Sequence, residues 1–528
     1  MRFILISDTH IGGRFDELMF NKGVDIANYV KGDYLIHCGD FTNDGTLAQY
    51  EIARLYLEKI KDNKIFLMVP GNHDVKNVGD LLWEEIIGDR FFVHTDEKKK
   101  VKILALDSTE PDSDTGRMGP KAISRIYEEF ESLPEHWLKV LIFHHQTLPI
   151  PYTGRERSAI YDAGNAVKAI LDCNIHLVFN GHRHISNFYR MSDGAMQAWI
   201  VNCGTLSCKK TRYREEYSMT VLDVDRERND LSVRVLLLNK EPLEEQIKYS
   251  GKFQEIIVPT EKELLTTIIQ IGNTDISDQR FNIDAFKKGV EVINETPCDL
   301  VVHCGEVTGN SYLHDFEWSK ALLGQIEKPK LIVPGDKDTY PLGCQLFPEY
   351  IGEFQPKYEN KKIKVLGFNS CIIDESIGRL GRGNTKTIIQ DLTNSSKIGV
   401  VAFHHTIIPL PRTKHDAELT DAGDALAVLV NNRVNLVLTG AKNQAGCWQV
   451  DDTIFVNAGT LSSYNITKKE GNSFNIIKVY KTDIGKYYEI DEYLINSFKY
   501  QTIGLFHVSD IASPIEIPKR IKYFDNSA

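Results

Sequence analysis

Short runs of four or five apolar residues, each closing on a polar cluster, recur along the chain. FILI runs into Ser7-Asp8, YLI into His37, IFLMV into Pro70, VLIF into His144 and LVF into Asn180. Such runs, bounded by Gly, Asn or Pro, predict buried strands. Helical stretches lie between them, among them Leu47 to Ile60 and Ala163 to Leu171. Strands alternating with helices predict an α/β fold. In such folds the polar clusters gather on loops at the carboxyl ends of strands, where ligands bind.

The pattern is written twice. YLIHCGDFTND at 34–44 returns as LVVHCGEVTGN at 300–310, and LIFHHQTLPIP returns as VAFHHTIIPLP. IFLMVPGNHDV is echoed by KLIVPGDKDTY, HLVFNGHRH by NLVLTGAKN, YDAG by TDAG, GRMG by GRLG and VNCGTLS by VNAGTLS, all in one order. The offset shrinks only from 266 (34 to 300) to 255 (201 to 456). Colinear echoes of this kind predict a duplicated domain. The expected boundaries are 1–245 and 260–495, each copy closing on a hairpin (217–238 and 472–495). A charged linker falls at 240–260, and residues 496–528 extend beyond the repeat. A length of 528 residues agrees with two hydrophobic cores.

Composition narrows the classes. The chain is 42% hydrophobic and 26% charged, ordinary for a folded protein, with a net charge of −11 that disfavours nucleic acid and anionic lipid as partners. No apolar run reaches the roughly 18 residues of a membrane span. The chain begins on a strand rather than a signal peptide. Its nine cysteines are scattered, with no CxxC pair. A cytoplasmic protein is expected.

Read in order, the polar residues at the strand ends of the first copy are Asp8 and His10, Asp40, Asn72 and His73, His144, then His182 and His184. Any one pair reads more simply as a capped or tight turn. Five such elements in one order read as chemistry. Imidazole nitrogens with carboxylate and amide oxygens suit Mn, Fe, Co or Zn. Seven candidate ligands exceed one tetrahedral centre and suit two divalent ions about 3.5–4 Å apart sharing a carboxylate.

The segments D-T-H at 8–10, G-D at 39–40, G-N-H-D at 71–74, H-H at 144–145 and G-H-R-H at 181–184 resemble the calcineurin-like metallophosphoesterase superfamily. LALDSTEPDSDTGRMG followed by LIFHHQTLPIP looks most like its class III cyclic-nucleotide phosphodiesterase and glycerophosphodiesterase branch. There the second histidine is followed by prolines, where this chain has Gln146-Thr147. The resemblance implies two tandem domains of a two-layer β-sandwich flanked by helices, with metals at one edge. It implies that Asp8, His10 and His184 hold one ion, that Asn72, His144 and His182 hold the other, and that Asp40 bridges them. His145 is not implied as a ligand.

A hydroxide bridging the ions would attack phosphorus, and His73, beside Asn72, is the natural proton donor to the leaving oxygen. Asp74 reads as a turn cap rather than a partner of His73. Arg14, Arg155 and Arg157 are candidate phosphate contacts. Asp162 reads as a helix cap, since Asp421 keeps the pattern in the second copy.

There the corresponding positions are Asn273, Asp275, Glu306, Asp336, Lys337, His404, Ala441 and Asn443. Catalysis of the same kind is not expected. The Lys337 ammonium is expected near Glu306 and Asp336, replacing lost metal charge, and the second copy can serve as an internal dimer partner. The leading expectation is a phosphodiesterase acting on a small or cyclic phosphodiester. A nuclease, a phosphomonoesterase and a non-enzymatic scaffold with structural metals are the alternatives.

Overall fold

The computed structural model describes residues 1–510 except 62, 155–158, 213–214, 256, 394, 413–418 and 467–470. Its strands form two six-stranded sheets and one twelve-stranded sheet. The first six-stranded sheet is centred on Arg2–Ile6, which pairs parallel with Tyr34–His37 and antiparallel with Ser218–Asp225. These strands carry apolar residues on both faces because both faces are covered. Phe3, Leu5, Tyr34 and Ile36 face inward against Ile103, Val140, Phe179 and Val201 of the long sheet. Ile4, Ile6 and Leu35 face outward under the helices Glu17–Tyr29, Leu47–Leu57 and Gly79–Ile86. This is the two-layer β-sandwich flanked by helices that the resemblance implied, in a mixed α/β fold.

The second half repeats the arrangement with Glu263–Ile271 at the centre of its own six-stranded sheet. The hairpins fall at Ser218–Asp225 with Asp230–Leu237 and at Ser473–Lys481 with Gly485–Leu494. Two segments at the expected boundaries carry strands. The charged stretch at 240–260 contains a strand, Glu244–Lys252, paired with Asp230–Leu237 at the sheet edge. Its charges face solvent, while Tyr249 packs on Trp199 at 4.6 Å. The segment after 495 contributes Lys499–Ser509, which pairs along Gly485–Leu494.

The long sheet takes six strands from each half in mirrored order, joined where Asn187–Ser192 pairs antiparallel with Gly446–Val450. Helices Gly119–Phe130 and Ala163–Asp172 share one apolar core with Gly381–Leu392 and Ala422–Asn431. The contacts are reciprocal. The Tyr152 amide donates to Asn165's counterpart, Asp424 (2.8 Å), and the Arg412 amide donates to Asn165 (2.8 Å). Gly164 lies under the Leu410 carbonyl and Gly423 under the Ile150 carbonyl, so close that any side chain would collide. The glycine of each DAG segment therefore seats the loop that follows the other half's paired histidines. No helix among the described residues is long and apolar enough to cross a membrane.

Candidate metal centre

The side chains singled out in the first half converge at the carboxyl ends of its central strands, and the backbone there is unusual. Asp8, His10, Asp40, His182 and His184 all have φ between 54° and 78°. For residues with a Cβ this left-handed conformation is sparsely populated and costs of order 1 kcal/mol or more. Gly39, at φ 95°, passes directly beside the His144 ring, where a side chain would strike Nδ1. The strain turns each short side chain inward from the strand end.

Two overlapping groups result. Asp8, His10, Asp40 and His184 bring their ligand atoms within 4.8 Å of one another, as do Asp40, His144 and His182, so Asp40 belongs to both. Asp40 Oδ2 lies 3.3 Å from His144 Nε2 and 3.5 Å from His10 Nε2, and Asp8 Oδ1 lies 3.3 Å from His184 Nε2. Asn72 donates through Nδ2 to Asp114 (3.1 Å), which turns its Oδ1 toward His182 Nδ1 at 2.9 Å.

Hydrogen bonds decide which imidazole nitrogens are available. His144 Nδ1 donates to the Cys38 carbonyl (2.7 Å) and His184 Nδ1 to the Lys210 carbonyl (2.6 Å). A carbonyl can only accept, so in the neutral rings both Nε2 atoms carry the lone pair, as metal-binding histidines require. His144 Nε2 is buried without a hydrogen-bond partner. His10 and His184 bring Nε2 atoms to 3.1 Å.

The electrostatics fit a cation. Burial pushes the Asp8 carboxyl up to about 8, the response of a carboxylate taken from water with too little positive charge beside it. Burial acts the same way on Asp40, but His144 and His73 outweigh it and hold that carboxyl well below the usual range. Burial pushes His10 and His182 well below the ordinary imidazole value, keeping them neutral and able to ligate. A buried, convergent, oxygen- and nitrogen-rich donor set of this kind suits divalent ions.

The remaining residues surround this centre. The His73 amide donates to Asp40 Oδ1 (2.8 Å), and its Nδ1 contacts the Asn43 carbonyl at 2.6 Å, which leaves Nε2 available. Asp74 does not touch that ring. It accepts from the amides of Phe41, Thr42 and Gly71 and so braces two ligand loops against each other. His145 Nδ1 pairs with Ser108 Oγ at 2.9 Å, and its ring lies 4.4 Å from that of His182.

Arg14 lines the mouth, a cavity of about 360 Å³, together with Arg183, Lys210 and Arg212. Those three and Asp114 were missed in the sequence. The run Lys209-Lys210-Thr211-Arg212 was the available signal, but nothing local shows that it folds back over the histidines. Arg155 and Arg157 lie outside the described residues. A larger open groove, about 890 Å³, runs beside the edge strand Ile65–Met68, away from these groups.

Asp162 differs in detail from the cap expected. It stands at the N-terminus of Ala163–Asp172 but accepts from Met118 and Gly119, tying down the start of the neighbouring helix. Asp421 does the same with Leu380 and Gly381. Lys337 also departs from expectation. Its ammonium contacts Asp275 (2.5 Å) and Glu306 (3.2 Å) rather than Asp336, because Asp336 is turned toward His405.

A protein of Arcobacter nitrofigilis, named as a probable glycerophosphodiester phosphodiesterase GpdQ, is 29% identical over 169 residues. The match takes in 28% of this chain and 59% of that relative, less than two thirds of its length. Among solved structures, GAP50, the anchor in the inner membrane complex of Plasmodium, is similar at 13% identity and a TM-score of 0.35, over 48% of this chain and 88% of that one. Purple acid phosphatase PPD1 from yellow lupin seeds is similar at 12% identity and a TM-score of 0.35, over 57% and 61%. Residues 1–186 match the family model of the calcineurin-like phosphoesterases, so the chain carries a calcineurin-like phosphoesterase domain.

Proposed function

We propose that the chain is a metal-dependent phosphodiesterase whose first half hydrolyses a small phosphodiester. The observation that carries this reading is the pair of buried donor groups that share Asp40, one of which also holds His144 Nε2 without a hydrogen-bond partner. Asp8, His10 and His184 would hold one ion, Asn72, His144 and His182 the other, and Asp40 both. Two divalent ions at such a site supply an acidified water and neutralise charge on phosphoryl oxygens.

The chain's own groups do the rest. Arg14, Arg183, Lys210 and Arg212 at the mouth draw in and orient an anion. The Asn43 carbonyl accepts from His73 Nδ1 and orients the ring, so that in the imidazolium form Nε2 gives its proton to the departing oxygen. A mouth of about 360 Å³ favours a small ester over a nucleic-acid duplex.

The second half is proposed to act as a covalently attached partner. Its Gly423 and Asp424 seat the loop after His144-His145, much as one subunit of a symmetric dimer seats the other.

The test is turnover of bis-p-nitrophenyl phosphate against p-nitrophenyl phosphate by the Mn²⁺-loaded full chain, with Asp40→Ala as control. Preference for the diester, abolished by the substitution, supports the reading. Preference for the monoester would make the protein a phosphomonoesterase. Cleavage of DNA but of neither small ester would make it a nuclease.

A further inference from the structure

The second half keeps the loop frame of the first while its side chains have changed. Asn273, Asp275, Glu306 and Asn443 retain φ between 48° and 53°. On one side of Glu306 the Lys337 ammonium binds both Asp275 and Glu306, occupying the place between those carboxylates with a fixed positive charge. No second cation is needed there.

The other side of Glu306 is different. Its Oε1 faces His404 Nε2 at 3.9 Å. His404 Nδ1 donates to the Cys304 carbonyl (2.9 Å), which leaves Nε2 as a lone pair. Beside it, His405 Nδ1 is held by Ser370 Oγ at 2.8 Å. His405 Nε2 stands 3.0 Å from Asp336 Oδ1 in a fully buried position. Apart from this contact neither atom has a hydrogen-bond partner. Cys371 completes a group with Asp336 and His405 in which all ligand atoms lie within 4.8 Å of one another. Asp336 also belongs to a second such group with Glu306 and His404.

Three substitutions relative to the first half create this arrangement, and one is Asp336 itself, which stands in place of Asn72. Cys371 follows Ser370 where Thr109 follows Ser108, so a thiol stands in place of a hydroxyl. Ala441 stands where His182 would crowd the ring of the second histidine, as it does His145 at 4.4 Å in the first half.

We propose that the second half holds a single transition-metal ion of the zinc type, bound by Asp336, Cys371 and His405 with His404 at its near side. A thiolate, an imidazole and a carboxylate, with water in the fourth position, suit Zn²⁺ or Co²⁺ in tetrahedral geometry, and the thiol proton passes to water on binding. With Lys337 beside it instead of a second ion, the site lacks the paired ions of two-metal hydrolysis. It joins the loops carrying Asp336, Cys371 and His404-His405, the last of which leads to Leu410 against the first half.

The experiment uses the full-length chain, stripped of metal and titrated with Co²⁺, with metal per chain counted by mass spectrometry. A thiolate-to-cobalt charge-transfer band in the near ultraviolet is expected. It should vanish in Cys371→Ser with loss of one equivalent of metal, and weaken at least tenfold in apparent affinity in His405→Gln. Cys208, near His10 and His184 in the first half, is the other thiol able to give such a band, and Cys208→Ser should leave it intact. Circular dichroism checks that each variant folds. Absence of the band from the unmodified chain, its survival in folded Cys371→Ser, or its loss in Cys208→Ser alone would overturn the proposal.

Discussion

At the scale of single residues, the first half is governed by hydrogen bonds that assign each imidazole its proton. His73 is the sharpest case. Its amide is tied to Asp40 and its Nδ1 to Asn43, while its ring contributes to neither donor group. His73→Ala is therefore expected to keep the metal content of the unmodified chain while kcat falls about 10²-fold or more, the usual contribution of a positioned proton donor. Metal analysis beside steady-state kinetics checks both halves of that statement, and unchanged kcat would remove His73 from the mechanism.

A second residue-scale prediction concerns Asp451, buried at the seam, where it accepts from the Arg190 amide at 2.9 Å. Burial pushes its carboxyl up to about 7, against about 3.9 in an unfolded chain. Between about pH 4 and 7 the folded chain keeps a proton that the unfolded chain has released, so stability falls as pH rises through that window. Asp451→Asn preserves an acceptor and cannot ionise. In urea unfolding, its stability relative to the unmodified chain should rise from about pH 4 to 7 and level off above. A pH-independent difference would mean that the carboxyl is not held protonated.

At the scale of elements, the loops matter more than the strands that support them. The loop after His144-His145 runs from the long sheet to the other half, where Gly423 passes beneath Ile150. Gly164 and Leu410 form the reciprocal pair. Because the obstruction is a backbone carbonyl, a larger residue cannot be accommodated by rotating a side chain. Gly164→Val and Gly423→Val are each expected to destabilise the chain by about 1–3 kcal/mol, the range for overpacking, read as a lowered melting temperature. Gly423→Val should in addition lower turnover, because it displaces the loop that carries His144. Equal turnover in the two variants at a temperature where both are folded would separate the loop from catalysis.

At the scale of the whole molecule, the mirrored strand order and the shared core under four helices make the two halves one unit. Cutting between them would expose the edge of Asn187–Ser192 and half of that core, an unpaired strand beside apolar surface. A chain ending at residue 260 is expected to self-associate through the same face, since an isologous surface is its own complement. Light scattering of that fragment is the check. A soluble monomer with full activity would reject the role proposed for the second half.

The convergence of the site's side chains was legible in the sequence where a motif carries all its residues within a few positions. Asp8 with His10, Asn72 with His73, and His182 with His184 each end an apolar run, although the first two follow strands of the first six-stranded sheet and the third a strand of the long sheet, so that only the packing of the two sheets brings the three pairs together. The expected strand segments and hairpins were readable for the same reason, since burial on both faces demands unbroken apolar runs. Elements whose partners lie far away in the chain were not readable. The strand Glu244–Lys252 is too charged to stand out, and it becomes a strand because an edge needs only one covered face. Lys337 reaches Asp275 instead of Asp336 because His405, 68 residues further along the chain, faces Asp336 first. The cationic mouth at Arg183, Lys210 and Arg212, the brace from Asp162 and the seam between the halves likewise depend on which loops meet in space. Local pattern determined the strands and the ligand motifs. Packing between distant segments decided which of those side chains face one another.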